Sequence, residues 1–163
     1  MPGDQRSNAA DTSTVPSPLL DDVNRRLLTE LNADPRIPMS ALGRRLGMSA
    51  PAVTERLQRL ERAGVVRGYR VDVDPAALGL PVTAFARIRP VAGQLAKIAE
   101  LARELPQVSE CHRITGEDCF LIKVHAADVG SFEEVLDRFL LHGQTTTSIV
   151  QSTPVPPRTP GLG

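Results

Sequence analysis

Gly47 does most to limit what this chain can fold into. It separates two short amphipathic stretches, and a cap residue and a proline stand immediately beyond it. Before it, Ala41, Leu42 and Leu46 form one apolar stripe, with Arg44 and Arg45 left on the wet side, and Pro38 sets the start of that helix. After it, Ser49 is a natural N-cap and Pro51 lies in the first turn, where a missing N–H costs nothing. Val53, Leu57 and Leu60 then recur at i, i+4 and i+7, so they share one face and pack inward. A glycine between crossing helices supplies the backbone freedom of a sharp turn. Gly64 closes the second helix, and Val65 to Val71 reads as the strand material of a wing.

The face opposite that stripe carries Pro51, Glu55, Gln58 and Arg62, flanked by Thr54 and Arg59, with Ser49 at its head. These are side chains suited to nucleic acid: Arg bridges guanine O6 and N7, Gln bridges adenine N6 and N7, and Glu accepts from cytosine N4. Arg56 lies nearer the buried side, where its work is a phosphate contact or a structural ion pair. From Arg36 to Arg70 there are eight arginines against Glu55 and Glu61, a local excess of +6 in a chain with 19 basic and 19 acidic residues. Basic charge is thus segregated into one module, as duplex DNA binding requires.

The other segments follow from periodicity. At 163 residues the chain holds one large domain or two small ones; 41% hydrophobic content supplies a core that, with 3% aromatics, rests on Leu, Val, Ile and Ala. Leu20 to Leu31 reads as a helix with Asp21 and Asp22 at its positive end. Strands are predicted over Val82 to Ile88, Val108 to Ile114, Cys119 to Val124 and Thr145 to Gln151, and helices over Gln94 to Leu105 and Ser131 to Leu141, the last capped by Ser131. The order βαββαβ is the ferredoxin-like arrangement, whose sheet carries helices on one face only. The expected organisation is an α+β chain: a disordered tail over 1–18, a winged helix-turn-helix over 19–73, a linker over 74–81, a ferredoxin-like domain over 82–153 and a flexible tail over 154–163.

Several functions lose support. No apolar run reaches the ~18 residues of a membrane helix, and the polar, Pro/Ser-rich start has no signal-peptide centre, so a cytoplasmic protein is expected. If Thr115 to Asp118 is the hairpin loop, Ile114 faces Cys119 and Cys111 faces Ile122, so the two thiols are not cross-strand partners. His112, His125 and His142 lack metal-ligand spacing, so no metal is expected. Nucleotide-loop, zinc-hydrolase and serine-hydrolase motifs are absent, and neither a catalytic residue nor a cofactor is predicted.

Taken together, these segments resemble the Lrp/AsnC family of transcriptional regulators over about Leu20 to Ser152. The resemblance is carried by Leu20-Asp21 through Leu31, Arg36-Ile37, Leu46-Gly47-Met48-Ser49, Val53, Arg56-Leu57-Gln58-Arg59-Leu60 and Gly64-Val65-Val66. In the second half it is carried by Leu105-Pro106-Gln107-Val108, Thr115-Gly116-Glu117-Asp118 and Thr145-Thr146-Thr147-Ser148-Ile149-Val150. It implies a homo-oligomer, dimeric through the open sheets and assembled further to tetramers or octamers, that binds double-stranded DNA and responds to an amino acid. It places the effector near Gly116, Glu117 and Asp118 and matches Thr145 and Thr147 to a family threonine pair. The usual loop runs Gly, an acid, often an aromatic, then Asp; here the last two positions hold Asp118 and Cys119. The alternative is a metabolite-binding regulatory subunit that acts on an enzyme through protein contacts.

Overall fold

The computed structural model describes residues 18–162; the tail expected over 1–18 lies outside them except for Pro18. The chain divides into two compact units, one ending at Arg70 and also taking in the chain from Pro157 onward, the other Val71–Pro156.

The first unit is three helices: α1 (Asp22–Ala33), α2 (Met39–Leu46) and α3 (Ala50–Arg62). Asp21 caps α1 by accepting from the Asn24 backbone N–H, and Ser49 caps α3 by accepting from that of Ala52. Gly47 ends α2 at φ +68, and Gly43, one turn earlier, is needed for a different reason. A Cβ there would stand 2.6 Å from the Met48 carbonyl oxygen, so only glycine lets the turn fold back on α2. Leu27, Leu31, Ile37, Leu42, Leu46, Val53, Leu57 and Leu60 are the buried core, each large aliphatic side chain contributing about 1.5–3 kcal/mol on removal from water.

The expected wing is not formed. Val65 to Val71 contains no strand. A strand is stabilised by a neighbouring strand that takes up its N–H and C=O groups, and no described strand lies beside this segment, whose end, Val71, is 86% exposed. The expected linker contains a 3-10 turn at Pro75–Leu78 capped by Asp74.

The second unit follows the expected order: β1 (Val82–Pro90), α4 (Leu95–Glu104), β2 (Val108–Arg113), β3 (Phe120–Ala126), α5 (Val129–Leu140) and β4 (Gly143–Ile149). The sheet is antiparallel throughout, in the order β2-β3-β1-β4. Ala84, Ala86 and Ile88 of β1 and Phe120, Ile122 and Val124 of β3 point to one face, where they pack with Ile98 and Leu101 of α4 and Phe132, Val135 and Phe139 of α5. The intervening residues, Phe85, Arg87 and Arg89 on β1 and Leu121, Lys123 and His125 on β3, form the other, helix-free face.

The cap of α5 and the start of β4 differ from the expectation. The N-cap of α5 is Asp128, which accepts from the Ser131 backbone N–H, and Ser131 lies inside the helix. Both are cap-forming types; the extended backbone falls at Asp128. Strand β4 starts two residues earlier than predicted, because Gly143 pairs with Pro90 and continues the ladder. Residues 154–162 form neither helix nor strand.

Candidate nucleic-acid interface and ligand site

Helix α3 presents Pro51, Glu55, Gln58, Arg59 and Arg62 to solvent, with Ser49 exposed at its N-terminus and Thr54 half-buried at its flank. The Thr54 hydroxyl donates to the Ala50 carbonyl at 2.9 Å. Arg59 donates to Glu55 one turn away at 3.1 Å, so in the free protein two of the presented side chains hold each other. Gln58 and Arg62 have no such partner among the described residues.

Arg56 behaves differently. Its Nη1 donates to Asp21 Oδ2 at 2.9 Å and to Asn24 Oδ1 at 3.1 Å, while Asn24 Nδ2 donates to the Leu19 carbonyl at 2.6 Å. Asn24 is the only buried polar residue among those described, 4% exposed. Of the two roles open to Arg56 from sequence, the structure shows the ion pair, which clasps α3 to the start of α1. The Asn24 backbone N–H, and after it the Arg56 guanidinium, hold the Asp21 carboxyl below its ordinary pKa. Sequence reading named neither Asp21 nor Asn24 as a partner of Arg56, because they lie far from it in the chain.

Behind α3, Arg45 pairs with Glu30, and Arg26 donates to the Arg45 carbonyl at 3.0 Å. At the C-terminal end of α3, the Tyr69 hydroxyl donates to Glu61 Oε1 at 2.7 Å. Partial burial and this bond to a carboxylate push the Tyr69 pKa up to about 12.

In the second unit, the loop residues expected to meet an effector are tied to the helix-free face. Glu117 pairs with Arg89, and Asp118 lies 3.6 Å from Arg87 Nε and 3.8 Å from Arg89 Nε. Gly116 and Cys119 both have positive φ, +102 and +50, and Cys119 is the only described non-glycine residue to do so. That backbone turns the two acids toward β1.

Thr145 and Thr147 are placed elsewhere. Thr147 stands opposite Ala86 and Thr146 opposite Arg87, so Thr147, and Thr145 with it, points to the helix-bearing face. Within one chain the five expected effector residues are therefore not gathered in one pocket. The cluster that does form is Arg87, Arg89, Glu117 and Asp118, with Thr146 on the same face. The alternation Phe85-Ala86-Arg87-Ile88-Arg89 was the available signal that both arginines share a side; what they meet there follows only from the strand register.

On the same face the His125 ring bonds Thr83 Oγ1 through Nδ1 at 3.0 Å and Ser109 Oγ through Nε2 at 2.9 Å. Burial, then the nearby Lys123 charge, lowers its pKa, with Glu110 opposing. Lys123 donates to Glu110 at 3.2 Å and lies 5.9 Å from the centroid of the Phe85 ring. Cys111 stands opposite Ile122, and both thiols are free.

Residues 20–61 match the family model of the AsnC-type helix-turn-helix domain, and residues 83–160 match that of the Lrp/AsnC ligand binding domain. The HTH-type transcriptional regulator LrpC of Bacillus subtilis is 31% identical over 133 residues, covering 82% of this chain and 92% of that protein. LrpA of Mycobacterium tuberculosis is 34% identical over 137 residues, covering 82% and 91%. Among solved structures, B. subtilis LrpC superposes with a TM-score of 0.78 at 30% identity, covering 82% of this chain and 96% of that one. A transcriptional regulator of Neisseria meningitidis, solved as its L-Met complex, gives 0.77 at 28% identity, covering 86% and 94%. The chain belongs to the Lrp/AsnC family of helix-turn-helix transcriptional regulators.

Proposed function

We propose that this chain is a cytoplasmic, homo-oligomeric regulator that reads a pseudo-palindromic DNA site through α3 and alters its assembly or DNA binding when it takes up an amino acid. The observation that carries the DNA half is the exposed face of α3, with Ser49, Pro51, Glu55, Gln58, Arg59 and Arg62 outward, Thr54 half-buried at its flank and Arg56 committed to the clasp behind it. Gln58 and Arg59 are the base-reading candidates. Arg62, at the C-terminal end of α3, suits a phosphate.

Self-association is supported by the helix-free sheet face, where Phe85 is 36% exposed, and by the unpaired Val71 and Val73. Both are surfaces that a second copy covers at little cost. The amino-acid response is supported by the Arg87, Arg89, Glu117, Asp118 cluster. Guanidinium groups suit an α-carboxylate and carboxylates suit an α-ammonium, so a zwitterion exchanges one set of ion pairs for another. Thr145 and Thr147 join that site only if a neighbouring copy supplies them. Among the described residues no helix is long and apolar enough to cross a membrane.

The test is a titration of the full chain on a pseudo-palindromic duplex with half-sites about 10 base pairs apart, against random duplex, from about 50 to 200 mM salt. Specific binding near ~10⁻⁸ M or tighter, weakening steeply with salt, is expected. Equal affinity for both duplexes at physiological salt sinks the reading. Gln58→Ala and Arg59→Ala are expected to lose more on the specific duplex than on the random one; equal losses would make them phosphate contacts.

A further inference from the structure

Past α3 the chain turns at Gly64 and is fastened twice to the helix it has just left. The Val65 and Val66 N–H groups both donate to the Leu60 carbonyl, at 2.9 and 3.2 Å, and both side chains pack on the helical core. Beyond them the Tyr69 hydroxyl donates to Glu61 Oε1 at 2.7 Å. The arm from Arg67 to Arg70, which is neither helix nor strand, is thereby held beside the last turn of α3.

Glu61 fixes the side of α3 on which the arm lies. Three residues after Gln58 it stands about 60° round the helix from it, in the direction away from Arg59. The arm therefore borders the outward face of α3 along its Gln58 edge.

From Arg62 to Arg70 the chain carries three arginines and no acid. Arg67 and Arg70 are exposed, and neither has an ion-pair partner among the described residues. Gly68 between them has φ +150, and a Cβ there would meet no described atom within 4 Å, so the backbone at this point is bare and open to close approach. A guanidinium distinguishes guanine when its fork is held in the plane of the base by its surroundings. Arg67 and Arg70 have no described partner to hold them so, which suits them to phosphate oxygens instead.

We propose that Arg67 and Arg70 form a DNA contact separate from the outward face of α3 and hold phosphates that flank the base pairs α3 meets, a role that rests on α3 being a DNA-binding helix. Tyr69 is the positioning residue: its bond to Glu61 sets where the arm stands and occupies the carboxylate on that edge.

The test is an anisotropy titration of the full chain on the pseudo-palindromic and random duplexes from about 50 to 200 mM salt. It is repeated on Arg67→Gln/Arg70→Gln, Tyr69→Phe, Glu61→Gln and, as a control for lost positive charge, Arg103→Gln/Arg138→Gln at exposed positions of α4 and α5. Each phosphate contact contributes about 0.9 to the slope of log K against log salt, so the arm variant is expected to flatten the slope by about 1.8 per bound chain. It is expected to weaken both duplexes by the same factor, about tenfold, while the control keeps the parent slope. An unchanged slope in the arm variant, or an equal flattening in the control, overturns the proposal. A loss confined to the pseudo-palindrome makes the arginines base readers and overturns the phosphate assignment.

Tyr69→Phe is expected to flatten the slope by at least half as much as the arm variant and to add nothing in that variant's background. Glu61→Gln, whose amide oxygen still accepts from the hydroxyl, is expected to keep the parent slope. Tyr69→Phe with a lower Tm and the parent slope would overturn its positioning role. Should the parent bind both duplexes equally, base reading by α3 fails, while a flatter slope in the arm variant on either duplex still supports the arm.

Discussion

Replacing Arg56 by Met keeps the buried stem of the side chain and removes only its guanidinium. Two acceptors then lose their donor: the exposed Asp21 carboxylate, which water re-solvates, and Asn24 Oδ1, on a side chain held in a residue 4% exposed. The second loss dominates. Stranding a buried acceptor costs about 1–3 kcal/mol, while a partly exposed ion pair adds little. For a unit of this size each 1 kcal/mol moves Tm by about 4–8 °C, so the helical unit is expected to melt roughly 5–20 °C lower. The chain has one tyrosine, Tyr69, and no tryptophan, so tyrosine fluorescence at the end of α3 follows this unit directly. A double-mutant cycle with Asn24→Leu completes the argument: with no acceptor to strand, Arg56→Met is expected to cost far less, and the difference is the coupling. If Arg56→Met melts with the parent but loses tenfold or more in affinity for any duplex, the clasp is irrelevant and Arg56 is a phosphate contact.

Three further outcomes are expected. Gly43→Ala forces a Cβ to 2.6 Å from the Met48 carbonyl and is expected to destabilise the helical unit by about 1–3 kcal/mol, as overpacking does; urea unfolding indistinguishable from the parent would show that the turn relaxes freely. The phenol of Tyr69 is expected to titrate near pH 12 while the helices persist by circular dichroism, and the Glu61→Gln variant closer to pH 10; a folded-state midpoint near 10 in the parent would mean that the bond to Glu61 is not held in solution. His125 has a folded pKa below its unfolded value, with burial the main cause. The native state then binds fewer protons than the unfolded one, so its contribution is complete above about pH 6.5 and is lost as pH falls through the folded pKa. The urea midpoint of the sheet unit is expected to drop between pH 7.5 and pH 5.5 more in the parent than in His125→Gln, and parallel profiles would refute the assignment.

What could be read directly from sequence depended on how local its cause is. The cap at Ser49 and the stripe Val53, Leu57, Leu60 depend on residues within a turn or two of one another, and they appear where the chain places them. The same holds for the hairpin, in which Ile114 N donates to Cys119 O at 2.8 Å and Cys111 meets Ile122 as expected. The wing failed because a strand is a pairwise object. Val65 to Val71 has the composition of one, but the described chain brings no neighbour to it. The α5 cap was displaced because Asp128 and Ser131 are equally good cap residues, and backbone direction, which composition does not carry, selects between them. Gly43 was overlooked for a related reason: in a helix it reads as a weak residue, and only the fold brings the Met48 carbonyl over it.

The expected effector residues are the sharpest case, because sequence gives strand positions and alternation but not the face that each strand shares with its neighbour. Thr145 and Thr147 share a side of β4, as alternation requires, and Arg87 and Arg89 share a side of β1. Whether the pairs meet depends on register, and Thr147 opposite Ala86 puts them on opposite faces. A slip of one residue would exchange the faces of β4 completely, setting Thr147 beside Arg87 and turning Thr146 and Ser148 toward α5. The observed register is held at both ends: Gly143, opposite Pro90, occupies a place where a Cβ would lie 2.5 Å from the Arg89 carbonyl oxygen, and Val150 N donates to the Thr83 carbonyl at 2.8 Å. Glycine at 143 is thus what this register, with the threonine pair and the arginines on opposite faces, requires. Any pocket uniting Thr145 and Thr147 with Glu117 and Asp118 must then be completed by a second copy, which makes ligand affinity dependent on protein concentration.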